Sequence, residues 1–361
     1  MRNESGNGNG NAHEASDASS DKNPSRLDES RWPHRWALSV TLAIFPLIWV
    51  GGLVTTQDAG MAVPDWPNTY GYNMFAYPLS TWIYGPFDLL VEHGHRLLGS
   101  FVGLLAIGLC IVVWTEELRV WVRWMCVLLL IAVILQGLLG GFRVLLDART
   151  LAMIHGCFAA IVFGFATSVV VVTSQWWKTA ALTTSSRLFR WLSIGLTIST
   201  VVQLILGAQL RHVQPWTTPS AFTGLVHLHL TFAAIVTLLV FGVTMASFGR
   251  SNRQLSGIGW PTLSLLVLLL VQIGLGMGTW IANYALPWID THPYLARYTI
   301  ATKGQWESWI ITGHQATGSL IIASALILAL RVWRQSRQPT EINFRELKPK
   351  NNESSRTDNS I

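Results

Sequence analysis

Charge is scarce in this sequence. Only 12% of its 361 residues are Asp, Glu, Lys or Arg, where a soluble domain carries about a quarter. Long, mostly apolar runs fill the deficit, among them Val127–Leu135, Ile161–Val172, Leu265–Val271 and Leu320–Leu330. Runs on this scale, repeated along a chain, need lipid rather than a single buried core. Cysteine is scarce too. Cys110, Cys126 and Cys157 all fall in apolar runs, with no Cys-x-x-Cys motif and no cysteine pair in a connecting segment, which argues against a disulfide or a zinc site. Acidic residues are too few to balance the basic ones, leaving a formal charge of +6. The basic residues cluster just outside the apolar runs, a placement that suits a membrane surface and argues against nucleic acid.

Apolar periodicity is missing at both ends. Residues 1–34 are rich in Asn, Ser, Gly and Asp and are expected to form a disordered tail. They lack an apolar h-region, so neither a signal peptide nor a transit peptide is expected. Residues 336–361 read as a second polar tail. What the sequence has in abundance is tryptophan, 18 residues, several of which suit the aromatic belts of a membrane interface.

Hydropathy predicts eight spans, near 35–54, 92–114, 124–143, 151–173, 190–210, 223–247, 261–281 and 308–331. Arg31 and Arg35 precede the first, and Arg119 and Arg123 separate the second and third. Lys178, Arg187 and Arg190 separate the fourth and fifth, Arg250 and Arg253 the sixth and seventh, and Arg331, Arg334 and Arg337 follow the eighth. Every second connection is therefore basic, which predicts cytoplasmic termini. The opposite connections hold scattered cations: Arg149, Arg211, Arg297 and Lys303.

A weak repeat runs through the spans. Gln136-x-x-x-Gly140, Gln203-x-x-x-Gly207 and Gln272-x-x-x-Gly276 stand at similar depths in spans three, five and seven. Span one has Gly51-Gly52 at that depth without a glutamine. Close helix packing suffices to account for these glycines. Glu92-His93-Gly94-His95 in span two echoes Val226-His227-Leu228-His229 in span six. The economical architecture is all-α, two pseudo-symmetric four-helix bundles over 35–175 and 176–335.

Ionisable groups inside a membrane are costly and are functional candidates. Each even-numbered span offers a histidine near its outer end: His95, His155, His229 (or His227) and His314. A lone histidine is usually a packing residue; one per even span at matching depth points to ligation. Glu92 is the only carboxylate within a turn of any of them, which fits zinc or copper poorly. Axial imidazoles from facing helices in an apolar bundle suit haem iron. Two histidines per half allow two bis-histidine sites, or one cofactor site and one substrate site. Arg96, Arg143 and, with less support, Arg211 are candidates for the haem propionates, with headgroup contact as the plainer alternative. Glu92 and His95 share a helix face at i, i+3, so Glu92 can act as a carboxylate beside the macrocycle, or serve as a charge at the helix N-terminus. His93 points away from His95. The connection 55–91 is long enough to form a lid or binding element.

With these residues the chain resembles the haem A synthase family. The matching pieces are Gly51-Gly52-Leu53-Val54 running into Gly60 to Pro67, Glu92-x-x-His95-Arg96-Leu97-Leu98-Gly99, Gln136-Gly137-x-x-Gly140-Gly141, then His155, His229 and His314. The resemblance implies an oxidoreductase of a bacterial inner membrane that converts the C8 methyl of haem O to the formyl of haem A, for terminal oxidases. It implies a substrate haem between His95 and His155 with Arg96 and Arg143 around it and Glu92 as the catalytic carboxylate. It further implies a haem b cofactor between His229 and His314, and haem O synthase and the oxidase assembly apparatus as neighbours. Three departures stand out: no cysteine pair in the first outer loop, the extra His93, and no arginine after His229, where His227 is the competing ligand. The alternative function is a di-haem b-type membrane electron carrier, quinone-linked through Glu92. A transporter would need broken helices with polar clusters at the midplane, and none is evident.

Overall fold

The computed structural model describes residues 30–284 and 304–336. The tail expectations for most of 1–34 and for 337–361, and the cations Arg297 and Lys303, lie outside them. Among the described residues eight helices are long and apolar enough to cross a membrane, with no strand beyond one isolated bridge between Thr69 and Tyr72. They are α1 (Trp32–Thr56), α2 (Phe87–Glu116), α3 (Val120–Leu145), α4 (Arg149–Thr173), α5 (Arg187–Arg211), α6 (Pro219–Ser247), α7 (Gly259–Tyr284) and α8 (Gln305–Gln335).

The helices overrun the hydropathy spans, most of all at α2, which starts at Phe87 rather than near 92. Hydropathy registers only the lipid-length stretch, whereas a helix continues until its backbone groups find caps. Ser186 accepts from the Phe189 amide at the head of α5 and Thr218 from the Ala221 amide at the head of α6. Pro33 opens α1, so residues 32–34 are helical rather than tail. The earlier start of α2 also moves Glu92 away from the helix end: Asp88 is the first-turn acid, and Glu92 lies deeper, fully buried.

The apolar side chains gather in two cores. One is built from α1–α4, including Val40, Ile44, Leu109, Leu129 and Val169, and the other from α5–α8, including Phe189, Leu196, Val240, Leu265 and Leu328. Within the first group α1 packs on α2, α2 on α3, α3 on α4 and α4 on α1; α5 to α8 close in the same order. The histidine-bearing helices of each group, α2 with α4 and α6 with α8, thus face each other across a diagonal. The groups join where α8 packs on α1 and α4, and α4 on α5.

At one end of the bundle, residues 57–86 connect α1 to α2 through 3-10 turns at Ala59–Met61 and Met74–Ala76 and a short helix, Leu79–Ile83. Polar contacts tie the two groups together here. Arg211 donates from Nη2 to the Gly52 carbonyl at 2.7 Å and to Thr56 Oγ1 at 2.6 Å. Thr56 meets Thr312 at 3.2 Å, and Gln57 donates to Ser308 at 2.7 Å.

Candidate functional site

All four candidate histidines sit toward the loop-bearing end, and they come together in two pairs. The rings of His95 and His155 have centroids 6.3 Å apart with planes at 80°. Those of His229 and His314 are 6.5 Å apart at 65°. His227 takes no part in a pair; its side chain is exposed, while His229 is partly buried against His314. Two residues along a helix is a turn of about 200°, so the two histidines of α6 cannot share a face.

The pairs suit a metal held between two imidazoles. With metal–nitrogen bonds of about 2.0 Å, and a ring centre roughly 1.2 Å behind its nitrogen, two rings on one metal have centroids about 6–6.5 Å apart. His155 and His314 place Nδ1 at 3.1 Å from the Gln136 carbonyl and 3.2 Å from the Gln272 carbonyl. A carbonyl only accepts, so Nδ1 carries the proton and Nε2 keeps the lone pair a metal needs. Among the described residues no group of three or more His, Cys, Asp and Glu side chains converges as a metal-ion cluster. The donors come in twos, as axial haem ligation requires.

The first pair has a carboxylate and two arginines of its own bundle beside it, where the second has Arg211 of α5 near His314. Glu92 accepts from the Val63 amide at 2.9 Å through Oε2 and from Arg96 at 2.9 Å through Oε1; Arg143 Nη2 lies 4.0 Å from the same Oε1. The i, i+4 spacing puts Arg96 one turn beyond Glu92 on the same face. Arg96 does more than pair with it. Nη1 donates to the carbonyls of Asp65 at 2.7 Å and Asn68 at 3.0 Å, and Nη2 to that of Val63 at 2.6 Å. One guanidinium therefore straps the loop to α2. Arg143 is the less committed arginine: the 4.0 Å approach to Glu92 is its sole ion pair among the described residues.

The loop is fitted to this end of the bundle. Val63 is fully buried, and the Trp66 indole lies against Gly141 so closely that a Cβ there would come within 2.4 Å of the ring. Asp65 closes the turn beyond by accepting from the amides of Tyr70 and Gly71, both at 2.8 Å. Partial burial raises its carboxyl, but those two amides and nearby Arg96 outweigh this and hold it below its ordinary value. His93 is buried under the loop, its Nδ1 3.2 Å from Thr69 Oγ1 and its ring 4.9 Å from Trp82 and 5.4 Å from Tyr77. It supports the loop from the face of α2 opposite His95.

Sequence reasoning missed the strap formed by Arg96. The Glu-x-x-x-Arg spacing is a signal that could have found the ion pair with Glu92, but nothing in it points to three loop carbonyls. It also missed the joint of Arg211, Thr56 and Thr312 between the two helix groups, because serines and threonines near span ends carry no distinctive pattern.

Comparison with known proteins gives this arrangement a context. The chain matches, over residues 34–303, the family described as cytochrome oxidase assembly protein. It is 25% identical over 262 residues to a haem A synthase of an Exiguobacterium species, covering 67% of this chain and 80% of that one. It is 26% identical over 179 residues to the haem A synthase of Exiguobacterium sibiricum, with 48% and 57% covered. With the haem A synthase of Shouchella clausii it shares 26% identity over 248 residues, 61% of this chain and 78% of the relative.

Proposed function

The chain belongs to the cytochrome oxidase assembly protein family, and on that premise we propose that it is a haem A synthase, oxidising the C8 methyl of haem O to a formyl group. The observation that carries this reading is an asymmetry. Two histidine pairs of nearly equal spacing, 6.3 and 6.5 Å, lie at one end of the bundle, and only the first has a buried carboxylate and two arginines beside it. That suits a substrate site and a resident cofactor site. The equal spacings by themselves also suit a di-haem electron carrier; Glu92 under its lid of loop favours the enzyme.

In this reading His95 and His155 hold the substrate haem O. Arg143, the less committed guanidinium, takes a propionate, and Arg96 acts by keeping the loop closed over the site and Glu92 in place. Two successive two-electron oxidations of the methyl, each taking a hydroxyl from water and releasing two electrons and two protons to an external acceptor, give a gem-diol that loses water to the aldehyde. Glu92 accepts a proton from the reacting carbon's substituents or stabilises positive charge developing beside them. His229 and His314 hold haem b, which when bound supplies one-electron chemistry to carry electrons away. The end opposite the loop carries Arg31, Arg35, Arg119, Arg123, Lys178, Arg187, Arg190, Arg250, Arg253, Arg331 and Arg334, so it is assigned to the cytoplasm of a bacterial cell, with both termini there and the loop outside. Haem O synthase is the expected supplier of substrate and a terminal oxidase in assembly the recipient of product.

The deciding experiment is extraction of haem from the purified protein followed by chromatography. Haem O and haem A alongside haem B support the synthase, and two equivalents of haem B alone overturn it in favour of the carrier. In the same assay His314→Ala is expected to lose haem B and His227→Ala to retain it in full. Loss from the His227 variant instead would reassign the ligand in α6.

A further inference from the structure

We propose that Gly51, Gly140, Gly207 and Gly276 are positioning residues, each setting the depth and rotation of one haem-ligating imidazole from the neighbouring odd-numbered helix. The proposal rests on the haem reading of the two histidine pairs. A Cβ built on Gly51 would lie 2.8 Å from His95 Cε1, on Gly140 3.0 Å from His155 Cε1, on Gly207 3.2 Å from His229 Cε1, and on Gly276 3.0 Å from His314 Cε1. The same ring atom meets the same kind of residue four times, from α1, α3, α5 and α7 onto α2, α4, α6 and α8.

Glycine in transmembrane helices commonly serves close approach of helix backbones. At these four positions the nearest non-local atom is instead an imidazole carbon. Other glycines of the same helices behave differently: Gly137 on α3 and Gly274 on α7 have nothing within 4 Å of a built Cβ. Glycine destabilises a helix interior, so its presence against each ring needs a local reason, and the ring supplies it.

The second half of each seat is a carbonyl. Residues i and i+4 of a helix lie one above the other on a single strip of surface. Four positions before the glycines stand Leu47, Gln136, Gln203 and Gln272. The carbonyls of Gln136 and Gln272 accept from Nδ1 of His155 and His314 at 3.1 and 3.2 Å. Nδ1 and Cε1 are adjacent in the ring, so the imidazole lies edge-on along the strip, with Nδ1 at the carbonyl and Cε1 over the bare Cα. Nε2, on the other side of Cε1, is clear of the carbonyl; in His155 and His229 it lies 3.5 and 3.2 Å from the side-chain amide nitrogens of Gln136 and Gln203 on the odd helix. His95 faces the Leu47 carbonyl in the same sense, outside the geometry of a full hydrogen bond, and Nδ1 of His229 is buried with no hydrogen-bond partner. A methyl at the glycine would lift the ring from the strip, stretch the Nδ1 bond where one exists, and swing Nε2 off the metal axis.

The test uses full-length protein carrying alanine singly at the four glycines, with Gly137→Ala and Gly274→Ala as helix-matched controls and His155→Ala and His314→Ala as references. The readouts are haem per polypeptide and the low-spin electron paramagnetic resonance signal, which reports axial ligand geometry without turnover. The controls are expected to match the parent. Gly140→Ala and Gly276→Ala are expected to shift the signal and weaken haem binding about 10–100-fold, as loss of an outer-sphere partner does, with Gly51→Ala more severe. Gly207→Ala, the least crowded, is expected to keep its haem and shift the signal; it remains informative where the tighter variants do not fold, and an unshifted signal there counts against the proposal. Unchanged spectra in the Gly140 and Gly276 variants while the histidine variants lose haem would overturn the proposal and spare the haem reading, as would equal effects at Gly137 and Gly274. Full haem in the histidine variants would overturn both.

Discussion

Arg96→Ala is expected to release the 57–86 loop from the bundle and to abolish haem A formation through that release. The side chain makes three bonds to loop carbonyls and one to Glu92, and it is 8% exposed. Removing one member of a buried ion pair costs about 3–5 kcal/mol, because the remaining charge has lost its partner. Here the whole of that falls on one tethered loop, enough to undock it while the helices, held by two separate cores, stay folded. Amide hydrogen exchange across 57–86 is the measurement, with a large rise expected in the loop and little change in α3 or α5. Arg96→Lys is a sharper probe: an ammonium can replace the charge opposite Glu92 but not the planar fork that reaches Val63 and Asp65 together. A loop that exchanges as slowly in the alanine variant as in the parent would show that Arg96 is not the strap.

Glu92→Gln is expected to have the larger effect on chemistry and the smaller one on structure. Its amide oxygen can still accept from the Val63 amide, so the loop keeps one of its anchors, but the carboxylate is gone. If Glu92 moves a proton or stabilises charge in the reaction, haem A output falls about 10²–10⁴-fold, the usual worth of a positioned acid or base. Haem O or a hydroxylated intermediate accumulates and haem B content stays at the parent level. The contrast with Arg96→Ala is diagnostic, since one variant loses activity with the loop closed and the other with it open. Undiminished haem A output from Glu92→Gln would reduce Glu92 to an anchor for Val63.

The helices were legible in the sequence because lipid imposes one requirement on every span: about twenty apolar residues in a row. Lipid says nothing about where a helix stops, which is why α2 begins at Phe87, five residues ahead of its apolar stretch, and carries Glu92 into the interior. The histidines were legible because polar residues stand out against an apolar background. Their pairing was partly legible, since His93 and His95, or His227 and His229, differ by roughly 200° around a helix, and only one of each can face inward. Which one does so depends on the rotation of the whole helix, a tertiary quantity. His95 meets His155 and His229 meets His314 because α2 and α6 present those faces to the diagonal.

The loop was the least legible part. Its length announced a lid, but its fixings are backbone carbonyls taken by Arg96 and an indole set against Gly141, and such contacts leave no periodic trace. The Gln-x-x-x-Gly repeat was visible in the sequence, but its relation to the histidines was not. Helix packing accounts for a glycine anywhere on an interface, whereas the position of these glycines beside histidine rings appears only when neighbouring helices are brought together.

Gly51 and Gly52 are adjacent on α1 and face different ways. The first touches His95; the second lies against Thr312, two residues before His314 on α8, and gives its carbonyl to Arg211. A single turn of one helix therefore touches the first histidine pair on one side and, through Thr312 and Arg211, the second helix group on the other. If both pairs hold haem as proposed, electrons passing between them would cross this joint, where the two groups meet through packed side chains rather than across a linker. The rate of transfer would then depend on how tightly that joint is packed.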